Sequence, residues 1–154
     1  MQLQTLPSVR PLARLWARAI APLDATPYSA LILLPRAAVF SVFFRSGLTK
    51  IHDWPATIAL FQDEYKVPVL PPEFAATLAA SVELGASTLV LLGLLTRPAA
   101  LMIFGMILTI QLFVYPMAWP DHIQWVGLLA FIIFKGPGAL SLDGLIGRLV
   151  RIRS

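Results

Sequence analysis

The sequence predicts an all-α membrane protein, a four-transmembrane-helix bundle with interfacial amphipathic helices at both termini. Composition is the first reason: 58% of the 154 residues are hydrophobic and only 13% are charged, whereas roughly a quarter are charged in an ordinary soluble domain. The second reason is that the apolar residues form runs long enough to cross a bilayer. One domain is expected, with a cytoplasmic segment at residues 1–27, the bundle at 28–136 and a cytoplasmic tail at 137–154.

Four spans are predicted within the bundle, at about residues 28–49, 74–95, 98–117 and 119–135. The first is unusual because Arg36 and Arg45 lie within its apolar run. The second has 22 residues with Glu83 as its only charge, and a helix of that length extends about 33 Å, enough to cross the hydrocarbon core. The third follows a short turn and carries no charge. Short connections make neighbouring helices antiparallel, as in a small bundle.

The fourth span is the shortest, and it is predicted from the residues at its two boundaries. Pro120 suits the first turn of a helix, and Asp121 complements the positive end of the helix dipole. The Gly-Pro-Gly run at 136–138 is a stop signal. The long outer loop, residues 50–73, is expected to contain a short helix from Pro55 and to cap the bundle.

Lysine and arginine residues concentrate in the connections on one side of the predicted bundle. Those on the richer side are Arg10, Arg14, Arg18, Arg97, Lys135, Arg148, Arg151 and Arg153. The opposite side has Lys50 and Lys66. By the positive-inside rule both termini are cytoplasmic, in a bacterial-type inner (plasma) membrane. The net charge of +4 therefore follows from topology, and no nucleic-acid site is predicted.

Both terminal segments are predicted to lie on the inner membrane surface. Arginines recur every four residues from Arg10 to Arg18, and apolar residues occupy most of the remaining helical wheel. Near the other end, leucine and isoleucine residues between 142 and 149 have helical spacing and are accompanied by arginines. This pattern is typical of a helix that lies at anionic lipid.

The charged residues inside the spans are the first candidate site. Glu83 lies near the middle of its span, where an unpaired carboxylate is costly, so it is expected to be protonated or paired with a cation. Arg36, Arg45 and Glu83 are predicted to form a buried polar network. The two arginines are half a turn out of phase, so both cannot face Glu83. Arg45 lies nearer the outer surface, where it is easier to hydrate, so Arg36 is the favoured partner. One hypothesis is that the pair fixes helix register. The other is that Glu83 titrates as part of a proton or substrate pathway, or that an arginine binds an anionic or quinone headgroup.

A second candidate site lies at the outer boundary of the predicted bundle. Its candidate ligand or quinone residues are His52, Asp53, Trp119, Asp121, His122 and Trp125, with Gln111 in the third span. A histidine would hydrogen-bond a quinone carbonyl while a tryptophan stacks on the ring, and His52 with His122 are weak candidates for metal ligands. The alternative is ordinary interfacial chemistry, since tryptophan belts and acidic first turns are common at this depth.

The residue types that are absent narrow the redox chemistry. The chain has no cysteine, which excludes a thiolate-ligated iron–sulfur cluster. Its two histidines both lie near one predicted surface, so no buried bis-histidine haem is expected. If electrons are involved, they pass through a bound quinone or through the cofactor of a partner. A stand-alone enzyme is therefore not expected.

Three stretches resemble the DoxX family of small four-helix membrane proteins. They are FFRSGLTKIHDW at the end of the first span, SVELGASTLVLLGLLTRPAAL across the first hairpin, and GPGALSLDGLIGR after the last helix. The resemblance covers about residues 30–148. It implies the four-helix fold and an association with oxidoreductase systems, which in this family include a quinone-linked thiosulfate-oxidising complex.

Three functions are therefore carried forward as hypotheses. The first is the membrane component of an oxidoreductase or quinone-linked system, with an oxidoreductase partner subunit. The second is a small transporter or permeation subunit for a metal or small solute. The third is a non-catalytic membrane anchor for a soluble enzyme. The lipid bilayer is the expected surrounding in each case, and homo-oligomerisation is expected to stabilise so small a bundle.

Overall fold

The computed structural model describes residues 9–153, with side chains described from Leu12 to Arg151. Within this range the chain is helical and contains no strand, so the all-α prediction is confirmed. The helices are α1 (Val9–Asp24), α2 (Tyr28–Leu31), α3 (Leu33–His52), α4 (Trp54–Leu60), α5 (Pro72–Ser81), α6 (Ser87–Leu92), α7 (Thr96–Thr109), α8 (Trp119–Lys135) and α9 (Leu142–Arg153). Arg10 and Arg153 belong to the terminal segments that are predicted to lie on the inner membrane surface. The side chains of these two arginines lie outside the described residues.

Three π-helical turns continue or join these helices. The first π turn is Phe61–Tyr65, the second is Val82–Ala86 and the third is Ile110–Val114. The second joins α5 to α6 without a break, and the third extends α7. Such turns widen the helix by one residue per turn and are frequently found at functional sites.

Three of the helical segments are long and apolar enough to cross a membrane. They are Tyr28–His52, Pro72–Leu92 and Thr96–Val114. Their apolar composition makes the chain a membrane protein, as predicted. The 17 residues of α8 pack along α7 and also touch α3. The fourth span therefore stays a prediction.

The buried core lies where α3, α6, α7 and α8 meet. Its fully buried side chains include Val90, Ile103, Leu129 and Ile132. Small residues allow the helices to approach closely, which is how helices associate in a membrane, where burial from water contributes little. Gly47 shows this most clearly: a Cβ there would lie 2.7 Å from Leu84 Cγ and 3.1 Å from Glu83 Cβ.

The bundle has two distinct ends. We call the end that carries residues 53–71 the loop end, and the end that carries residues 93–95 and 136–141 the turn end. At the turn end the segment after α8 folds back on the α6–α7 connection. The carboxylate of Asp143 accepts hydrogen bonds from the backbone N–H of Leu95 at 2.9 Å and of Thr96 at 3.0 Å, and from the Thr96 hydroxyl at 2.8 Å. Asp143 thus caps the first turn of α7 from a distant part of the chain.

The cap at Asp143 predicts an acid-sensitive stability. Burial raises the pKa of the Asp143 carboxyl, but hydrogen bonds from Thr96 and Leu95, together with the positive charge of Arg36, outweigh burial and leave the pKa below its ordinary value. A carboxylate with a lowered folded pKa stabilises the fold above its unfolded pKa, and that stability is lost as the pH falls through the folded pKa. We expect thermal stability in detergent to decrease below about pH 4.

Asp143→Asn should show a smaller decrease over the same acidic range, because the amide does not titrate. Asp121→Asn, at an exposed position in the first turn of α8, is the control and should keep the wild-type acid profile. An acid profile of Asp143→Asn identical to that of the wild type would show that this carboxylate is not responsible.

Candidate functional site

A cavity of about 510 Å³ lies in the half of the bundle nearer the loop end. All three π turns contribute to its walls, through Phe61 and Tyr65, through Val82 and Glu83, and through Ile110 and Val114. Most of the remaining lining side chains are apolar. The size is within the range of about 300–1,000 Å³ that small-molecule sites occupy. Apolar walls with few polar groups are also typical of such sites.

The polar part of the cavity is an ion pair between Lys50 and Glu83. Lys50 Nζ lies 2.8 Å from Glu83 Oε1, and their side chains are only 12% and 5% exposed. Ser46 Oγ donates to the same carboxylate oxygen at 3.1 Å, and Lys50 Nζ also lies 3.1 Å from Ser46 Oγ. The three side chains make one hydrogen-bonded cluster on the cavity wall.

The second carboxylate oxygen of Glu83 has no hydrogen-bond partner. Among the described residues, Oε2 is the only buried side-chain nitrogen or oxygen in that state. A buried acceptor without a donor costs about 1–3 kcal/mol, and more when it is charged. Glu83 lines the cavity, so a donor placed there would satisfy this atom.

Glu83 lies within the second π turn and lines the cavity. One extra residue in a helical turn rotates the following side chains by about 100° relative to a continuous α-helix. Hydroxyl groups stabilise the turn from the next residues: Ser87 donates to the Glu83 carbonyl, and Thr88 donates to the Leu84 carbonyl at 2.6 Å. Because Gly47 has no side chain, α3 also lies close enough for Lys50 to reach the carboxylate.

The predicted pairing of Arg36 with Glu83 was wrong. Glu83 is level with Gly47, while Arg36 lies about 16 Å earlier along the axis of α3. Lys50 is less than one helical turn beyond Gly47, and it is the cation that reaches Glu83.

Arg36 instead binds backbone carbonyl oxygens at the turn end. Its Nε donates to Val90 at 2.9 Å, and its Nη1 donates to Pro137 at 3.1 Å and to Leu140 at 2.7 Å. Its Nη2 donates to Leu91. Two of these carbonyls belong to the last turn of α6, where the regular helical hydrogen-bond pattern ends. The guanidinium thereby joins the end of α6 to the loop after α8.

Arg45 does not belong to the buried network either. It lies on the exposed face of α3, whereas Arg36 is only 2% exposed. The reason is the half-turn phase difference between the two positions, which turns one arginine inward and the other outward. Of the predicted network only Arg36 and Glu83 are buried, and they lie in different parts of the bundle.

Two of the predicted boundary residues do meet, and one of them lines the cavity. His122 Nδ1 lies 2.6 Å from Gln111 Oε1, and Gln111 Nε2 donates to the Pro116 carbonyl at 2.6 Å. Because a carbonyl can only accept, the Gln111 nitrogen must face Pro116 and its oxygen must face the ring. The Nδ1 of His122 therefore carries a proton, and in the neutral ring the lone pair is on Nε2.

The other boundary residues do not join this cluster in the structure. Asp53 accepts from the N–H of Ala56 at 3.0 Å and so caps α4. Trp125 packs edge-on against Phe43 in the core, with ring centroids 5.0 Å apart. His52, Trp119 and Asp121 are exposed, and none of them lines the cavity. No group of three or more metal-ligating side chains occurs among the described residues.

Sequence reasoning missed Ser46, Lys50, Tyr65 and Tyr115. It ended the first span at Thr49 and assigned Lys50 to the loop, whereas α3 continues to His52. The spacing of Ser46 and Lys50 was the available signal, because residues four apart lie on one face of a helix. No comparable signal existed for the two tyrosines, since their ring contact, with centroids 5.7 Å apart, joins segments far apart in the chain.

Comparison with known proteins adds one match. The model of the DoxX family matches residues 31–116, which is more than half of the chain. The matched region includes Ser46, Lys50 and Glu83 and ends before the Gly-Pro-Gly run. No curated protein and no solved structure matches the chain.

Proposed function

The chain belongs to the DoxX family of membrane proteins, and from this premise we propose that it is the membrane component of a quinone-linked oxidoreductase system. In this proposal the cavity binds the quinone and a partner oxidoreductase exchanges electrons with it. The observation that carries the proposal is the buried Oε2 of Glu83, which has no donor and lies on the wall of a largely apolar cavity.

The residues present fit a ligand with an apolar body and a head that both accepts and donates hydrogen bonds. Lys50 would donate to a carbonyl oxygen of the head, and Glu83 Oε2 would accept from a hydroxyl. Tyr65 and Phe61 provide aromatic walls. A quinone, when bound, would supply two-electron, two-proton chemistry. Glu83 is placed to hold a proton, and the neighbouring ammonium of Lys50 offsets its charge.

The four-span topology is part of this proposal. Helix α8 runs antiparallel to α7, and it begins at the loop end and reaches the turn end, where Tyr28 Oη donates to the Gly136 carbonyl at 2.6 Å. Its 17 residues extend about 25 Å, close to the thickness of the hydrocarbon core. With α8 as the fourth span, both termini lie on one side. The basic residues of the turn end make that side cytoplasmic in a bacterial-type inner membrane.

The exposed side chains of α1 support contact with lipid at the cytoplasmic side. In α1 the side chains of Leu12, Leu15 and Trp16 are 63–68% exposed, and Arg14 and Arg18 are exposed as well. An exposed apolar face beside basic residues fits a helix that lies in the headgroup region. The same helix would serve the anchor hypothesis, in which deleting residues 1–23 releases a soluble partner from the membrane.

Replacing Glu83 by glutamine should weaken binding of the reduced ligand. The variant keeps the side-chain volume but loses the charged acceptor, and hydrogen bonds to charged groups contribute about 1.5–3 kcal/mol. We expect affinity for a ubiquinol analogue to fall about tenfold or more. Affinity for the oxidised analogue should change less than about twofold, because its carbonyl oxygens only accept. The measurement is equilibrium retention of each form by the protein in lipid nanodiscs.

Glu73→Gln is the matched control, because Glu73 is exposed in the first turn of α5 and lies outside the cavity lining. It should bind both forms as the wild type does. Equal loss in both glutamine variants, or none in either, would contradict the assignment of Glu83. Absence of binding to the wild type, together with solute flux in proteoliposomes, would favour the transporter hypothesis.

A further inference from the structure

The continuous segment from α5 to α6 and the helix α7 form an antiparallel hairpin. Its two arms separate on the side of Glu83 that is nearer the loop end. Helix α7 packs closely against α6 and the second π turn, but no comparable packing joins it to α5. In an antiparallel hairpin α5 is the segment that would otherwise continue this contact. The space between them is the cavity, with Ala75, Leu78 and Ala79 on one wall and residues of α7 on the other.

The cavity is covered toward the loop end. Phe61 and Tyr65 pack edge-on with ring centroids 4.8 Å apart, and Tyr65 packs edge-on against Tyr115. The Tyr115 hydroxyl donates to the carboxylate of Glu64. These contacts join the first π turn to Tyr115, the residue that follows the third π turn, so the aromatic rings lie between the cavity and the water at the loop end.

The side between α5 and α7 is open by contrast. Leu78 and Met102 line the cavity and yet are 47% and 52% exposed. Gly105 also lines the cavity and is exposed, and a Cβ built on it would meet nothing within 4 Å. Both helices belong to apolar segments long enough to span the membrane, so this opening faces lipid rather than water.

We propose that the ligand is a long-tailed molecule dissolved in the bilayer, which enters sideways between α5 and α7 and leaves its apolar tail in that opening. The inference rests on the proposed function and narrows its substrate class to a lipid-phase amphiphile. The polar head reaches the Lys50–Glu83 pair, and the tail passes Leu78 and Gly105 into the surrounding lipid. A water-soluble quinone would have to pass the aromatic cover instead.

Gly105→Phe tests the opening directly. The absence of neighbours around Gly105 lets the helix accept a larger side chain, which then occupies the gap. Binding to nanodiscs is measured for two ubiquinone analogues with the same headgroup, one with a long isoprenoid tail and one with only a methyl group. We expect affinity for the long-tailed analogue to fall at least about tenfold and affinity for the tailless one to change less than about twofold.

Gly127→Phe is the matched control, because Gly127 is a helical, exposed glycine with open space around it that lies outside the cavity lining. It should bind both analogues as the wild type does. Equal loss for the two analogues in Gly105→Phe, or unchanged binding of both, would overturn the lateral opening while leaving the cavity as the binding site. A wild-type protein that binds neither analogue would instead overturn the proposed function, and this inference with it.

Discussion

Arg36→Met is expected to destabilise the protein by at least about 3 kcal/mol, because several backbone carbonyls lose a charged donor at once. Arg36 is 2% exposed, and its guanidinium donates to carbonyls at the end of α6 and in the loop after α8. Methionine keeps much of the apolar stem but donates nothing. The measurement is thermal and denaturant unfolding in detergent, followed by circular dichroism.

Arg45→Met on the same helix is the control for this experiment. The two variants lose the same charge, but Arg45 is exposed, so its replacement should change stability by less than about 0.5 kcal/mol. Arg36→Lys should fall between the two, since an ammonium group lacks the fork of donors that reaches separate carbonyls. Similar stabilities of Arg36→Met and Arg45→Met would contradict the structural role of Arg36.

Lys50→Met is expected to have a comparable effect at the other end of the bundle. The variant leaves the Glu83 carboxylate buried with Ser46 as its only remaining donor. Removing one partner of a buried ion pair costs about 3–5 kcal/mol, because the other charge stays uncompensated. Protonation of Glu83 would reduce that cost, so the loss should be larger at high pH than at low pH. Unfolding measured across pH tests both statements.

The double variant Lys50→Met, Glu83→Gln separates the pair from its surroundings. Replacing both charges removes the unpaired carboxylate, so the double variant should be more stable than Lys50→Met alone. Lys135→Met, at an exposed position in the last turn of α8, should cost less than about 1 kcal/mol, the usual contribution of a charge at a helix end. Additive effects of the two replacements would show that Lys50 and Glu83 do not interact.

Much of the site could not be predicted from the sequence. It depends on how far along the bundle each charged side chain lies and on how neighbouring helices are aligned with one another. That Glu83 is buried among apolar residues follows from its surroundings in the chain. Which cation faces Glu83 depends on where α3 lies against the second π turn. Gly47 allows the two segments to approach closely at that point. The same alignment of the helices places Arg36 at the turn end, where it donates hydrogen bonds to carbonyl oxygens at the end of α6.

The cavity was also beyond sequence reasoning. Nothing in a uniform apolar run marks the point at which α5 and α7 separate, and π turns differ from α-helix by a single residue. Tyr65 and Tyr115 lie in different segments, and only the folded chain brings their rings together. The contact between His122 and Gln111 could be predicted only in part. Both residues were candidates from the sequence, but only the structure places them in contact.

The sequence by itself determined the class of the protein. Long apolar runs with few charges must satisfy their backbone hydrogen bonds internally in a bilayer, and helices do so without help from other segments. Stop signals such as the Gly-Pro-Gly run also act locally, because they end a helix without help from other segments. The tertiary structure alone decided which charges pair, which face lipid and where a cavity remains. The physical reason is that a buried charge takes the partner within a few ångströms, and that distance is set by how the helices pack.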